Sequence, residues 1–173
     1  MRSVKTNNLF PKEYCKNAYA VNYRKLFALG VRGLIFDIDN TVVGDNCPAD
    51  ERSRHLAQEL HVLGFEVLFL SNNGKERVKS FSDRMAYSRY ICDAAKPSKE
   101  GYVRAMNMMG TDRSNTVMIG DQIFTDIWGA NRAGVYSILV GKLYFKERKH
   151  IYLKRVLELF VKAAYFIGGG KRI

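Results

Sequence analysis

Apolar and polar positions alternate along this chain in blocks that predict strands and helices in turn. Four mainly apolar residues, Gly33-Leu34-Ile35-Phe36, run straight into Asp37-Ile38-Asp39-Asn40-Thr41. A continuous apolar run that ends in turn formers predicts a strand buried on both faces of a parallel sheet. Similar runs over 65–70, 116–120 and 135–140 predict further strands, and a weaker one over 90–92 a short strand. Between them lie stretches with helical spacing. One opens at Pro48 or Ala49 and reaches about Leu63, with Leu56, Leu60 and Leu63 inward. A second covers 75–85, with Val78, Phe81 and Met85 inward. A third runs from an N-cap at Ser98 to Met109, with Met106, Met108 and Met109 as core filler. A fourth follows the turn 122–126 and ends near Ala133. Gly64, Gly110 and Gly134 stand where helices should stop.

Strands alternating with helices predict an α/β fold, a three-layer Rossmann-like arrangement of a parallel sheet with right-handed crossovers. The first 32 residues are rich in Asn and aromatics and predict one short helix over 22–29, stopped by Gly30. The end predicts one long helix from about Glu147 to Ile167, with Ile151, Leu153, Val156, Leu157, Phe160, Ala164 and Ile167 leaning to one side. A length of 173 residues fits a single domain, with its core over about 33–140, a basic segment 1–32 and a basic helix within 142–173.

Charge sharpens this division. Residues 1–36 carry seven Lys and Arg against Glu13, and residues 142–173 carry nine against Glu147 and Glu158. The middle carries twelve against fourteen acids. Basic flanks of this kind attract polyanions, either an anionic membrane surface or nucleic acid, and also serve solubility. No apolar run approaches the ~20 residues of a membrane span, and the first 20 residues lack the apolar stretch of a secretory leader, so a cytoplasmic location is expected. Cys15, Cys47 and Cys92 are too few and too scattered for a disulfide framework or a metal-ligand pattern. His55 and His61 are expected on the surface of their helix.

The candidate chemistry lies where the strands end. Asp37 and Asp39 close the first strand, Ser71 and Asn72 the second, and Asp121 the fourth, while Lys96 follows the short third. Asp and Asn also serve simply as turn formers, but parallel sheets bring strand ends to one edge, where ligands bind. Two acids this close invite a hard cation, and oxygen ligands suit Mg²⁺. A hydroxyl, a lone Lys, three acids and Mg²⁺ together make a phosphate site.

Asp37-Ile38-Asp39-Asn40-Thr41-Val42 resembles the first motif of the haloacid dehalogenase (HAD) phosphatases. Ser71, Lys96-Pro97 and Gly120-Asp121-Gln122-Ile123-Phe124-Thr125-Asp126 resemble the second, third and fourth, in order. Phe36 to Thr41, Ser71-Asn72-Asn73 and Gly120-Asp121-Gln122 with Phe124-Thr125-Asp126 are similar to the subfamily IIIA, YqeG-like branch, itself similar to phosphatidylglycerophosphate phosphatases. The resemblance covers about residues 33–140. It implies a Mg²⁺-dependent phosphomonoester hydrolase that works through an aspartyl-phosphate. Asp37 would be the nucleophile and Asp39 the acid and base. Asp37, the Asp39 backbone carbonyl and Asp121 would hold Mg²⁺, with Asp126 and Thr41 in support. Ser71 and Asn72 would bind phosphate, and Lys96 would neutralise Asp37 and the phosphoryl group.

The short spacings between Thr41 and Ala49 and between Asn73 and Lys96 leave no room for a cap domain. An uncapped site suits large substrates. Phosphatidylglycerophosphate at an anionic phospholipid surface, reached by peripheral membrane association, is the substrate expected first. The alternatives are a nucleic-acid end, a soluble sugar or nucleotide phosphate, or an RNA-binding module without catalysis. The intact acid pair argues against the last.

Overall fold

The computed structural model describes residues 8–143 and 152–169. Six strands form one parallel sheet: β1 (Glu13–Cys15), β2 (Gly33–Phe36), β3 (Glu66–Leu70), β4 (Arg89–Ile91), β5 (Thr116–Gly120) and β6 (Tyr136–Val140), in the spatial order β1-β6-β5-β2-β3-β4. The helices are α1 (Tyr23–Ala28), α2 (Glu51–Val62), α3 (Lys75–Ser82), α4 (Lys99–Met109), α5 (Trp128–Ala133) and α6 (Tyr152–Ile167).

The continuous apolar runs have their cause in the layers. On β2, Leu34 and Phe36 face one way and Ile35 the other, as strand geometry requires. The first two join Val67, Phe69, Val117 and Ile119 beneath Leu26, Leu56, Leu60, Val78 and Phe81 of α1, α2 and α3. Ile35 joins Leu68, Leu70 and Met118 beneath Tyr102, Ala105, Met106 and Met109 of α4 and Ala130 of α5. Every residue of β2 is therefore buried. Removing a fully buried Leu or Ile side chain from such a layer costs ~2–5 kcal/mol. No domain is inserted between β2 and α2 or between β3 and β4.

β2 lies between β3 on one side and β5 on the other. The chain thus leaves β2 in one direction and later returns on the opposite flank, which opens a crevice at the carboxyl end of β2.

Several expected boundaries move for local reasons. α2 starts at Glu51 rather than at Pro48 or Ala49, because Asp50 is its N-cap: Ser53 N donates to Asp50 Oδ1 at 2.7 Å and Asp50 N donates to Ser53 Oγ at 2.9 Å. α3 stops at Ser82, although Met85 beyond it is buried. Met106 and Met109 are core residues, but Met108 is 42% exposed and is no core filler. The turn after β5 winds as a π-helix over Ile123–Ile127 before α5 begins.

β1 is a strand the sequence pattern does not announce. It has three residues at the sheet edge and pairs with β6 through Glu13, Tyr14 and Cys15. The tail also differs from expectation. Val161 of α6 packs against Ile123, Ile127 and Leu139. Tyr165 is buried, with its ring 6.0 Å from that of Phe10. Phe160 and Ile167 from the expected apolar stripe face solvent, as does Leu159. The start of that helix, 147–151, lies outside the described residues.

Candidate active site

Asp37 is the first residue past β2, and its N–H donates to Ile119 O of β5 at 3.0 Å. Beyond it the chain winds tightly. Ile38 O accepts the N–H groups of Thr41, Val42 and Val43. Asn40 takes a left-handed φ of 62°, a conformation Asn tolerates better than most residues. This turn sends Thr41 back under Asp37. Its hydroxyl lies 3.3 Å from Asp37 Oδ2 and 3.4 Å from Asp121 Oδ1, so it ties the ends of β2 and β5 together.

Asp126 reaches the same place from the π-helical turn. Gln122 N donates to its Oδ2 at 3.0 Å, and the Tyr102 hydroxyl donates to its backbone carbonyl at 3.1 Å. A Cβ on Gly120 would collide with the Asp126 carboxylate, so the close approach needs glycine there. Asp37, Asp121 and Asp126 are all buried, and each offers an oxygen within 4.8 Å of the others.

Lys96 enters from the link after β4. Asp93 and Ala95 have positive φ and turn the chain back toward the crevice. The Asn72 side chain clamps the Lys96 backbone: Lys96 N donates to Asn72 Oδ1 at 2.6 Å and Asn72 Nδ2 donates to Lys96 O at 3.0 Å. Each end of that amide thus makes one contact with the Lys96 backbone. Lys96 Nζ then donates to Asp37 Oδ1 at 2.6 Å and to Asp126 Oδ1 at 2.8 Å. Ser71 is buried at the end of β3, where its Oγ accepts from Asn73 N at 3.1 Å.

One ammonium faces three buried carboxylates, and this imbalance sets the electrostatics. Burial pushes the Asp37 carboxyl up to about 8; Lys96 opposes the shift, while Asp126 and Asp121 add to it. Burial would lower the Lys96 ammonium, but Asp126 and Asp37 outweigh it and hold the group above its ordinary range. Such a crowd of acids fits a divalent cation, which supplies the missing positive charge through oxygen ligands.

Asp39 points elsewhere. Its carboxylate accepts from Asn46 N at 2.8 Å, Asn73 Nδ2 at 2.7 Å and Arg77 Nη2 at 2.7 Å. It stands outside the buried trio, whereas Asp126 stands within it. Asn73 and Arg77 are the side-chain partners of Asp39 to which sequence reasoning gave no role. Asn73 lay beside the Ser71-Asn72 pair, but Arg77 carried no signal beyond being one helical turn further on. His55 and His61 are exposed, as expected, and His61 stacks on Tyr87. A hollow of about 480 Å³ between α1 and α2, lined by Tyr19, Tyr23 and Leu56 among others, contains none of these acids, so volume does not mark the site.

The fold and the grouping of acids at its carboxyl edge define a protein of the HAD-like hydrolase class. Residues 93–150 match the HAD-hydrolase-like family. Over 131 residues the chain is 37% identical to the probable phosphatase YqeG of Bacillus subtilis, covering 75% of this chain and 76% of that one. Over 68 residues it is 37% identical to the phospholysine phosphohistidine inorganic pyrophosphate phosphatase of Xenopus laevis, 35% of this chain and 25% of that one. The crystal structure of an uncharacterized protein from Listeria monocytogenes superposes with a TM-score of 0.53 at 18% identity, covering 76% of this chain and 99% of that one, a likeness of fold alone. The chain belongs to the HAD-like phosphatases, in their YqeG-like branch.

Proposed function

We propose that this phosphatase cleaves phosphomonoesters in two displacements at Asp37. The observation that carries this reading is the Asp37 carboxylate itself. It sits at the switch point of the sheet, held by Lys96 at 2.6 Å, with Asp121 and Asp126 within 4.8 Å. An Asp37 oxygen attacks phosphorus, the bond to the leaving alcohol breaks, and an aspartyl-phosphate forms. Asp39 gives the departing oxygen a proton. It then takes one from the water that attacks the acyl phosphate, which returns Asp37 and releases phosphate. Lys96 offsets the charge on Asp37 and on the phosphoryl oxygens. Ser71 supplies a hydroxyl to the phosphoryl group, and Asn72 acts by fixing the Lys96 backbone.

The residues fit Mg²⁺. Asp37, Asp121 and the Asp39 backbone carbonyl would hold it, with Asp126 and Thr41 orienting them, and when bound it supplies positive charge against the phosphoryl oxygens. The test is direct. Purified protein is assayed with p-nitrophenyl phosphate, with and without Mg²⁺, and the trapped intermediate is located by mass spectrometry. A phosphoryl adduct on Asp37 supports the mechanism, and metal-independent turnover or an adduct elsewhere sinks it.

The preferred substrate is phosphatidylglycerophosphate at an anionic membrane face. Two features support this. The crevice carries no inserted cap, so a lipid headgroup can approach it. In addition, α6 turns Leu159, Phe160 and Ile167 outward in a segment rich in Lys and Arg, as an interfacial helix does. No described helix is long and apolar enough to cross a membrane. Turnover of the lipid in anionic vesicles, well above that of sugar phosphates, nucleotides and nucleic-acid ends, is the expected result. Equal or better turnover of a soluble ester would replace it.

A further inference from the structure

The turn that delivers Asp126 has an uncommon winding. Ile127 N donates to Gln122 O at 3.2 Å, five residues back, and Trp128 N donates to Ile123 O over the same interval. Such bonds fit one more residue into a turn than an α-helix does, and runs of them are rare. Relaxing to α-helical spacing would rotate Asp126 about the helix axis. Its carboxylate would then leave Lys96 Nζ and Gln122 N, which it now meets at 2.8 and 3.0 Å. The neighbours of the turn therefore decide its winding. On one side the Tyr102 hydroxyl of α4 lies 2.9 Å from Thr125 O and 3.1 Å from Asp126 O. On another, Ile123 and Ile127 are fully buried with Leu139 of β6, and α6 lies against this cluster through Val161.

We propose that Val161 of α6 is a positioning residue for the active site: by packing on Ile123 and Ile127 it holds the turn in its π winding and keeps Asp126 beside Asp37 and Asp121. The inference rests on the metal-dependent phosphatase reading above and extends it to a helix outside the 33–140 core. The coupling runs through groups in contact. Val161 meets the apolar side of the turn, and the turn carries Asp126. Asp126 Oδ1 accepts from Lys96 Nζ, whose other acceptor is Asp37 Oδ1 at 2.6 Å. Without the inner face of α6, the turn is free to adopt other windings. Asp126 then leaves the crevice for part of the time, and three crowded carboxylates become two. The divalent cation that those acids fit is held less tightly as a result. Leu159, exposed on the same helix, lies outside this chain of contacts.

Two measurements on the full chain test it together: amide hydrogen exchange without metal, and calorimetric titration with Mg²⁺. The Asp126 and Ile127 amides report the turn, since both donate to Gln122 O. Val161→Ser should speed their exchange by ~10-fold, the scale of a local opening eased by one lost apolar contact. The amides of β2 and β5 should exchange as in wild type, because the sheet does not open with the turn. The Mg²⁺ dissociation constant should rise by ~5-fold or more. Leu159→Ser, the same kind of change on the outward face of α6, should alter neither reading. Unchanged exchange at Asp126 and Ile127 in Val161→Ser overturns the proposal, as does an equal effect from Leu159→Ser. Faster exchange with unaltered Mg²⁺ affinity also overturns it, because the turn would then loosen without moving Asp126. Val161→Ala takes the place of the serine variant if that one does not fold. If wild type binds no Mg²⁺, it is the metal reading that fails, and the exchange comparison still decides whether α6 holds the turn.

Discussion

Asp37 and Asp39 are two residues apart on one turn, yet their surroundings have little in common. Asp37 lies with Lys96, Asp121 and Asp126 at the floor of the crevice, and burial pushes its carboxyl up. Asp39 lies at the rim, where Arg77, Asn73 and the Asn46 N–H converge on it. The two side chains are almost equally exposed, 10% and 14%, so the same side chain is placed once among other carboxylates and once among hydrogen-bond donors. What separates them is the turn at Asn40, which sends Thr41 inward and leaves Asp39 outside. The two roles proposed for these identical residues need only this difference in partners.

The hardest test of this division is Asp37→Asn. An amide is isosteric, cannot serve as this nucleophile, and removes one of three crowded acids. Lys96 keeps its contact with Asp126. Turnover should fall by several powers of ten, ~5 kcal/mol or more in barrier, while the melting temperature falls no lower than that of wild type. Steady-state kinetics with calorimetry checks both. A folded variant with substantial activity would remove Asp37 from the proposed role.

Asp39→Asn should cost less. Proton transfer by a positioned group contributes ~10²–10⁴-fold, or ~3–5 kcal/mol. The loss should shrink for p-nitrophenyl phosphate, whose leaving group needs little protonation, and persist for an alkyl phosphate. An equal loss on both would mean that Asp39 acts through metal or phosphate binding instead, and the contrast between the two aspartates would go with it.

Much of the pocket was legible in the sequence, and the rim was not. β2, β3 and β5 are covered on both faces, so their apolar runs are unbroken and their ends fall where the chemistry is. Asp37 and Asp121 follow directly from those ends, Lys96 from the weaker run at β4, and Asp126 from the resemblance of the 120–126 motif. β1 escaped because three edge residues, Glu13-Tyr14-Cys15, carry no alternation to read. Arg77 escaped because its meaning depends on the 44–47 loop coming back to it, a tertiary contact with no local signature. Asn72 showed its polarity in the sequence but not that the Lys96 backbone would take both ends of its amide. In α6 the periodicity marked an apolar stripe, but packing of Val161 and Tyr165 against the π-helical turn and the N-terminal segment decided which side faces inward.

Gly120→Ala probes how close the pocket acids must come. The added methyl would strike the Asp126 carboxylate, which cannot retreat without giving up Lys96 or Gln122 N. Overpacking of this kind costs ~1–3 kcal/mol. Thermal unfolding should show the loss, and Mg²⁺ affinity should weaken with it. A variant with the stability and metal affinity of wild type would show that Asp126 is not held where its hydrogen bonds place it.

The smallest expected effect concerns the metal and pH together. Without a divalent ion, the folded chain keeps a proton on Asp37 up to about 8, whereas an unfolded Asp releases it near 3.8. The folded state therefore binds more protons across that window, and stability falls as pH rises through it. The contribution is complete below the lower value and lost above the upper one. A cation bound to the same carboxylates competes with that proton, so it should stabilise more at pH 8 than at pH 5.5. At ten times its dissociation constant the gain at high pH is ~1.4 kcal/mol. Melting curves at the two pH values, with and without Mg²⁺, check the prediction. Asp37→Asn removes one of the three carboxylates that crowd together and should flatten the pH dependence of the Mg²⁺ gain, whereas Asp39→Asn leaves all three in place and should preserve it. If the two variants behave alike, the separation drawn between the two aspartates is wrong.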